Sequence, residues 1–151
     1  EVYGKTCHQN RNVGFFSDES IGYWYSRRLA RSIALTPSLT ELLNQINEST
    51  DSNFNGILVN HYKSGTDSIG AHSDDEKGLG RNGVVAISMG ATRKFRIRDK
   101  KTKKIVKDIE MEPGCIIHMG GDFQKEFTHE IPVQKRVLGS RTSFTFRYHT
   151  V

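Results

Sequence analysis

The sequence predicts a mainly β fold, either a barrel or a double-sheet jelly roll, with one helix packed outside. Two observations carry this prediction. One segment has the apolar spacing of an amphipathic helix, and six others are short, rich in β-branched or aromatic residues, and bounded by Gly, Asn or Lys-rich turns. Many short strands at such spacing are typical of barrels and jelly rolls.

The helix is predicted in the segment TPSLTELLNQINEST, residues 36–50. Thr36 can accept the capping hydrogen bond, and Pro37 suits the first helical position. The apolar side chains recur at helical spacing and form one stripe. They are Leu39, Leu42, Leu43 and Ile46. One face of this helix is therefore expected to pack on a sheet.

The strands are predicted in six segments, residues 56–62, 83–89, 94–98, 105–111, 115–119 and 141–149. Side chains alternate between the two faces of a strand. Arg141, Ser143, Thr145 and Arg147 therefore share one face of the last strand, opposite Phe144, Phe146 and Tyr148. If the aromatic face is buried, the arginines point into the sandwich, where an unpaired charge is costly. We therefore expect anionic groups beside them. By the same alternation, Leu58, Asn60 and Tyr62 share one face of the strand predicted at residues 56–62.

Composition and charge limit the possible settings. A chain of 151 residues is predicted to form one domain, and no apolar run approaches the roughly 20 residues that cross a bilayer. Cys7 and Cys115 form no CxxC motif, so a reducing, intracellular setting, cytoplasmic or nuclear, is expected. Because the chain begins with Glu1 and not Met, it is expected to be part of a longer polypeptide. The net charge of +5, concentrated in residues 93–107 and 27–31, suits a polyanionic partner.

The segment HSDDE, residues 72–76, contains a candidate pair of metal ligands. On an extended backbone His72 and Asp74 point the same way, and with a second histidine they would form a 2-His-1-carboxylate site that leaves positions open on Fe(II). His129, just before the arginine strand, is the best choice. The other candidates are His8, His61, His118 and His149. His118 lies within an apolar strand and is expected in or near the core, and His149 is set aside because it lies at the end of the last strand. The acidic segment could alternatively bind Mg²⁺ or Ca²⁺, or form a surface turn.

An arginine twelve residues after His129 makes the iron hypothesis more specific. The dicarboxylate 2-oxoglutarate chelates iron at one end and needs a cation for its distal carboxylate. The guanidinium of Arg141 offers a permanently charged, bidentate fork for that purpose.

Two longer motifs carry a resemblance to a known family. LVNHYKSGTDSIGAHSDDE (residues 58–76) and THEIPVQKRVLGSRTSFTFR (residues 128–147) resemble the Asn-x-Tyr strand, the HxDxE loop, the distal histidine and the terminal RxNxTFR strand of the AlkB family. These proteins are Fe(II)/2-oxoglutarate-dependent nucleic-acid demethylases. The resemblance covers about residues 14–148. It implies a double-stranded β-helix (jelly-roll) core in a single domain, 1–151, with a short nucleotide-recognition lid near 12–30.

The resemblance also implies roles for individual residues. The catalytic iron ligands would be His72, Asp74 and His129. Arg141, assisted by Tyr62, would bind the distal carboxylate of 2-oxoglutarate, and Asn60 would bond the cosubstrate near the metal. Arg147 would brace that end and contact the Asp74 carboxylate. Ser143, among the residues expected to contact the cosubstrate, stands where the family commonly has Asn. Serine can still donate a hydrogen bond, so function is expected to be retained, and the affinity for the cosubstrate is the property that this departure leaves open.

Substrate residues follow from the same resemblance. Phe16 would stack on the target base opposite His72, Tyr23 would line the lid, and Glu76 would accept a hydrogen bond from the exocyclic amino group of the base. Trp24 and Tyr25, which follow Tyr23, are expected to be packing residues.

The implied reaction is oxidative demethylation of 1-methyladenine or 3-methylcytosine type bases in methylated single-stranded RNA or DNA, by a monomeric domain. The reaction uses Fe(II), O₂ and 2-oxoglutarate and releases succinate, CO₂ and formaldehyde. The base must be flipped out or already unpaired. The choice between RNA and DNA stays open. Two alternatives are a catalytically weak nucleic-acid-binding module with the same fold and an oxygenase acting on protein, such as a prolyl hydroxylase.

Overall fold

The structure is a computed structural model that describes residues 11–25, 27–74 and 79–149. These residues form eleven strands and two helices. In chain order they are β1 (Asn12–Phe16), β2 (Gly22–Tyr25), β3 (Arg28–Ile33), α1 (Pro37–Thr50), β4 (Gly56–Tyr62), β5 (Ile69–His72), β6 (Val84–Gly90), β7 (Arg93–Asp99), β8 (Ile105–Met111), β9 (Ile116–Met119), α2 (Phe123–Glu126), β10 (Phe127–Ile131) and β11 (Arg141–Arg147).

The strands form two sheets. The larger has the order β2-β3-β1-β4-β11-β6-β9 and the smaller β5-β10-β7-β8. Of the pairings described, β1 with β3 is parallel and the others are antiparallel. Apolar side chains from both sheets meet in one core cluster, which includes Tyr62, Ala86, Phe95, Met111 and Ile131. The predicted mainly β, double-sheet architecture is confirmed.

Helix α1 packs on the outer face of the larger sheet, as the apolar spacing predicts. The Thr36 hydroxyl accepts a hydrogen bond from the Leu39 N–H at 3.2 Å and caps the helix. Leu43 and Ile46 are buried in a second core cluster, which includes the sheet residue Ile57. Burial of side chains of this size stabilises a fold by about 1.5–3 kcal/mol each.

All six predicted strands are present, but sequence patterns did not reveal five others. The missed strands are β1, β2, β3, β5 and β10. Strands β5 (IGAH) and β10 (FTHEI) are short and contain polar residues where a buried strand would have apolar ones. Within the described residues, no helix is long and apolar enough to span a membrane.

The basic stretch 93–107 forms the hairpin of β7 and β8. Its cations are not all on the surface. Arg93 is fully buried, Arg96 forms an ion pair with Asp108 at 2.9 Å, and Arg98 pairs with Glu130 at 2.7 Å. The hairpin therefore presents less free positive charge than the sequence suggests.

Candidate active site

A cleft of about 640 Å³ opens between the two sheets. This volume is in the range typical of small-molecule sites. Strands β4 and β11 line it with alternate residues, because Arg141 lies opposite Tyr62 and Ser143 opposite Asn60 in the antiparallel register. The predicted shared faces are confirmed: Asn60, Tyr62, Arg141, Ser143 and Arg147 all line the cleft.

The predicted ligands meet at one end of the cleft. His72 ends β5 and lies opposite His129 of β10, and Asp74 follows β5 by two residues. The Nε2 atom of His129 lies 3.3 Å from a carboxylate oxygen of Asp74, and that of His72 lies 3.9 Å from the other. One potential ligand atom from each residue lies within 4.8 Å of those from the other two. We call His72, Asp74, His129 and Arg147 the metal corner.

The electrostatics of the metal corner keep Asp74 ionised. Burial opposes ionisation, but the guanidinium of Arg147, 3.4 Å away, together with the hydrogen bond and charge of His129, holds the pKa of the Asp74 carboxyl well below its usual range. The predicted contact between Arg147 and Asp74 is confirmed. A permanently ionised carboxylate suits a divalent cation.

Both histidines are held in orientations that suit coordination. The Gly70 carbonyl can only accept, so His72 donates to it from Nδ1 at 2.8 Å, which leaves Nε2 unprotonated to bind a metal. Burial, followed by the proximity of His129, lowers the pKa of His72 and favours this neutral form. The ring of His129 stacks on Phe95 with centroids 5.3 Å apart. Packing and the contact of Nε2 with Asp74 therefore set its orientation, since its buried Nδ1 has no hydrogen-bond partner in the described structure.

A short helix fixes the backbone of the metal corner, and sequence patterns did not indicate it. The buried Gln124 of α2 accepts a hydrogen bond from the Asp74 N–H at 2.7 Å. Its signal in the sequence is weak, because α2 has only four residues. Helix α2 leads directly into β10 and so links Asp74 to the strand that carries His129.

The other end of the cleft is a cationic pocket. Arg141 is buried, donates from Nε to the Ser88 hydroxyl at 2.7 Å, and lies with its guanidinium carbon 5.3 Å from the Tyr62 ring centroid. Its Nη1 atom is buried without a hydrogen-bond partner, and no ion pair joins Arg141 to any carboxylate among the residues described. We call Arg141, Tyr62 and Ser88 the anion pocket.

Two further residues line the cleft between these ends. The Asn60 side-chain oxygen accepts from Nε of Arg11 at 2.9 Å, which leaves its amide nitrogen as a donor. Ser143 lies opposite both Asn60 and Ser88 in the sheet register and is buried. Arg11 was not predicted as a cleft residue. It precedes the first strand, and nothing in its spacing indicated a role.

Comparison with known proteins identifies the family. The family model described as the 2OG-Fe(II) oxygenase superfamily matches residues 3–147. The chain belongs to this superfamily. The oxygenase has 31% identity over 156 residues to mouse (Mus musculus) DNA oxidative demethylase ALKBH2, covering 97% of this chain and 65% of the relative. It has 37% identity over 152 residues to bovine (Bos taurus) alpha-ketoglutarate-dependent dioxygenase alkB homolog 3, covering 94% of this chain and 52% of the relative.

A solved structure, that of OsALKBH1, shares the fold of the oxygenase. The TM-score is 0.66 at 18% identity, and the similarity covers 93% of this chain and 78% of that one. The predicted AlkB-like resemblance and jelly-roll core are confirmed. The chain spans between about half and two thirds of the length of the curated relatives it matches.

The cleft fits the cofactors that the superfamily implies, Fe(II), 2-oxoglutarate and O₂. Two imidazoles and one carboxylate form the donor set that Fe(II) oxygenases use. The buried Nη1 of Arg141, which has no hydrogen-bond partner among the described residues, is the observation that fits a dicarboxylate, because a buried guanidinium without an anion is costly. When bound, the metal and 2-oxoglutarate would supply the oxidising chemistry, and the protein would supply position and shelter from water.

The residues predicted to bind the substrate do not all lie in the cleft. Tyr23 lines the cleft, and its hydroxyl accepts from Arg147 at 2.9 Å. Phe16 does not reach the cleft. It lies opposite Ile57 in the register and packs against the α1 core cluster, so its predicted stacking on a base is wrong. Phe15 faces the cleft side instead, because neighbouring residues on a strand alternate. Glu76 lies outside the described residues.

Three other predictions need correction. Trp24 was expected to pack in the interior, but it is 67% exposed and lies at the rim of the cleft. His118 was expected near the core, but it is exposed and bonds the Asn82 carbonyl at 2.7 Å. His149 was set aside as a chain-end residue, yet it lines the cleft and contacts the rings of Phe15 and Tyr23.

Proposed function

We propose that the domain catalyses oxidative demethylation of N-methylated bases in nucleic acid, coupled to the conversion of 2-oxoglutarate to succinate and CO₂ and the release of formaldehyde. One observation carries the proposal: a 2-His-1-carboxylate cluster lines the same cleft as a buried arginine that has no carboxylate partner among the described residues. The names of two relatives, DNA oxidative demethylase ALKBH2 and alkB homolog 3, support the substrate class.

In this proposal one end of the cleft binds the metal and the other binds the distal carboxylate of the cosubstrate. His72, Asp74 and His129 hold the metal, and Arg147 keeps Asp74 ionised and positioned. Arg141 binds the distal carboxylate of 2-oxoglutarate. The Tyr62 hydroxyl assists it, since burial raises the pKa of this phenol and keeps the O–H available as a donor, although nearby arginines oppose the shift.

The amide nitrogen of Asn60 donates to the cosubstrate between these two ends, and Arg11 orients it. Ser143, in place of the usual Asn, contributes less to this binding because its hydroxyl is shorter and reaches fewer partners. The apolar walls, which include Leu58, Ala86 and Ile131, exclude water from the reacting groups.

The target base enters beside His72, whose side chain is 32% exposed whereas those of Asp74 and His129 are 10% and 7% exposed. The residues near 12–30 act as a lid within a single domain, 1–151. The lid is short, so we propose single-stranded RNA or DNA as substrate, met in the cytoplasm or nucleus. Tyr23 lines the entrance on the lid side, and Glu76 reads the exocyclic amino group of the base.

The test is a side-by-side assay of formaldehyde and succinate release on matched oligonucleotides. The substrates carry 1-methyladenine or 3-methylcytosine in RNA or DNA, single or double stranded. We expect equal amounts of formaldehyde and succinate on single strands and less on duplexes, because flipping a paired base costs a few kcal/mol. Succinate without formaldehyde on every substrate would contradict the proposal.

The role of Glu76 has its own test. Glu76→Gln keeps the size but removes the charge that offsets the positive charge of the methylated base. Formaldehyde release should fall roughly 10- to 100-fold, which matches about 1.5–3 kcal/mol for a charged hydrogen bond. Substrate-free turnover of 2-oxoglutarate should stay at the wild-type rate. Equal losses in both would mean that Glu76 supports the iron loop and does not read the base.

Ser143 favours a second candidate, a nucleic-acid-binding module with weak turnover. The serine is 4% exposed at the centre of the cleft, where a poorer cosubstrate contact would slow the reaction. Substituting Ser143→Asn decides between the two: a large gain in turnover from a nearly inactive wild type would favour the binding module.

A further inference from the structure

Arg93 is a fully buried cation that the proposed reaction does not use. It is the first residue of β7 and is 0% exposed. On this strand Arg93, Phe95 and Ile97 point inward, whereas Arg96 and Arg98 point outward and form ion pairs with carboxylates. Arg93 is thus the one arginine of β7 whose charge lies on the core side.

Neutral oxygen atoms hold this guanidinium in place. It donates to the carbonyls of Ser64 at 3.1 Å, Asp67 at 2.8 Å and Pro132 at 2.9 Å. It also donates to the side-chain oxygen of Gln134 at 3.3 Å. These residues belong to the β4–β5 and β10–β11 connections, so Arg93 fastens together the two loops that follow Tyr62 and precede Arg141. The hydrogen bonds fix its position without neutralising its charge.

The fixed charge lies beside the anion pocket. The guanidinium carbon of Arg93 is 5.6 Å from the Tyr62 ring centroid, and that of Arg141 is 5.3 Å from the same centroid. Neither arginine forms an ion pair with a carboxylate in the described parts of the chain. Asp67 exerts an attraction on Arg93, but its carboxylate accepts from the Lys63 N–H at 2.8 Å. Arg93, like Asp67, lies outside the cleft lining and so can act on a ligand only through its charge and its contacts.

We propose that Arg93 is a positioning and specificity-determining residue that supplies a second positive charge behind Tyr62 and selects a dicarboxylate over a monocarboxylate 2-oxo acid. This inference rests on the proposed function, in which the anion pocket binds the distal carboxylate of 2-oxoglutarate. Arg141 bonds that carboxylate directly. Arg93 acts through the field of its charge and by holding the Tyr62 ring against Arg141.

The cost of this arrangement supports a role in binding. Two like charges share one poorly solvated region, and burial together with the charge of Arg93 lowers the pKa of Arg141. A carboxamide could donate to two of these carbonyls without that repulsion. The repulsion is relieved when a dianion enters, because its distal carboxylate attracts both arginines. A monocarboxylate of the same length brings no charge to that end.

The test compares two ligands on Mn²⁺-loaded protein by calorimetry. The ligands are 2-oxoglutarate and 2-oxovalerate, which has a methyl group in place of the distal carboxylate. Arg93→Gln should weaken 2-oxoglutarate binding about tenfold, as expected for loss of one unit charge in a poorly solvated cleft, and leave 2-oxovalerate binding unchanged. Arg96→Gln, on the same strand but facing outward, should leave both affinities unchanged. An equal weakening for both ligands, or none, would overturn the inference.

A second variant keeps the inference testable if Arg93→Gln does not fold. Arg93→Lys retains a charge that can be titrated, because burial lowers the pKa of a lysine. In this variant, the affinity for 2-oxoglutarate divided by that for 2-oxovalerate should fall as the pH rises from about 7 to 9.5. In the wild type, the same ratio should stay constant. A constant ratio in both proteins would overturn the inference. Failure of the wild type to bind 2-oxoglutarate would contradict the proposed function itself.

Discussion

Strand β11 carries two buried arginines on the same face, and their surroundings differ. Arg147 meets the Asp74 carboxylate at 3.4 Å and the Tyr23 hydroxyl at 2.9 Å. Arg141, six residues earlier, meets a serine hydroxyl, a methionine sulfur and a phenol ring, and no ion pair joins it to a carboxylate within the described chain. The metal corner thus contains its own anion, whereas no described residue supplies one to the anion pocket.

In the proposed function, this difference determines which ligand each end would bind. At the metal corner, the carboxylate is already ionised and oriented, so the missing component is a cation. At the anion pocket, the positive charge is already in place, so the missing component is an anion. A single ligand that chelates a metal at one end and has a carboxylate at the other connects the two ends. The 2-oxoglutarate of the oxygenase superfamily has this form.

The largest expected effect comes from removing a metal ligand. His129→Ala should abolish binding of Fe(II) or Mn²⁺ and all formaldehyde release, because the facial site needs all three protein ligands. His118→Ala is the matched control, since this histidine is exposed and bonds only the Asn82 carbonyl among the contacts described. Calorimetry with Mn²⁺ measures both variants. Normal metal binding in His129→Ala would remove His129 from the site.

The second effect tests the buried ion pair between Arg147 and Asp74 in the metal corner. Arg147→Gln leaves the buried Asp74 without its cation and should destabilise the metal-free protein by about 3–5 kcal/mol. Urea unfolding of the metal-free variant measures the loss, and Mn²⁺ should restore part of it by supplying a replacement charge. If Arg147→Gln unfolds at the wild-type urea concentration, the pair does not stabilise the corner.

The third effect tests the anion pocket. Truncation of Arg141 to Ala should weaken 2-oxoglutarate binding by about 2–5 kcal/mol, because the distal carboxylate loses its direct partner. Arg141→Lys keeps the charge but loses the bidentate fork, so the cosubstrate concentration for half-maximal succinate formation should rise by a smaller factor. An unchanged half-saturation in both variants would remove Arg141 from this role.

The smallest expected effect concerns the more exposed ion pair between Arg96 and Asp108, which serves as a reference for the buried pair of the metal corner. A hydrogen bond from Arg96 lowers the pKa of Asp108, so the folded protein holds this carboxylate ionised below the ordinary pKa of about 3.9. The pair therefore stabilises the fold above that pH, and the contribution disappears as the pH falls through the lowered pKa. Asp108→Asn should cost under about 1 kcal/mol at pH 7, and the cost should shrink steadily as the pH falls below about 3.9. A loss independent of pH would show that the effect is not electrostatic.

Period-two alternation predicted the cleft face of the long strands correctly. Alternation placed Asn60 with Tyr62 and Arg141 with Arg147, and it holds because these seven-residue strands are regular and bury one side. The sequence also indicated the three side chains that meet in the metal corner, because an HxD pair, a later histidine and an arginine strand together supply what an iron site with an anionic cosubstrate requires. The helix followed from its cap and apolar stripe.

The residues that support the site could not be predicted from local patterns. Gln124, Ser88 and Arg93 act through contacts 50, 53 and up to 41 positions away along the chain. Their positions depend on how loops and strands meet in three dimensions. Phe16 was misplaced because a pair of adjacent phenylalanines gives no indication of which one faces the cleft. Its strand, β1, became apparent only from its pairing with β4.

The most direct measurement determines whether the two ends of the cleft bind different ligands. Calorimetric titrations with Mn²⁺, and then with 2-oxoglutarate on the Mn²⁺-loaded protein, are carried out on the wild type, Arg141→Ala and His129→Ala. We expect Arg141→Ala to bind Mn²⁺ with wild-type affinity and to lose 2-oxoglutarate, and His129→Ala to lose the metal. If Arg141→Ala binds 2-oxoglutarate as tightly as the wild type does, the uncompensated charge of the anion pocket does not hold the cosubstrate.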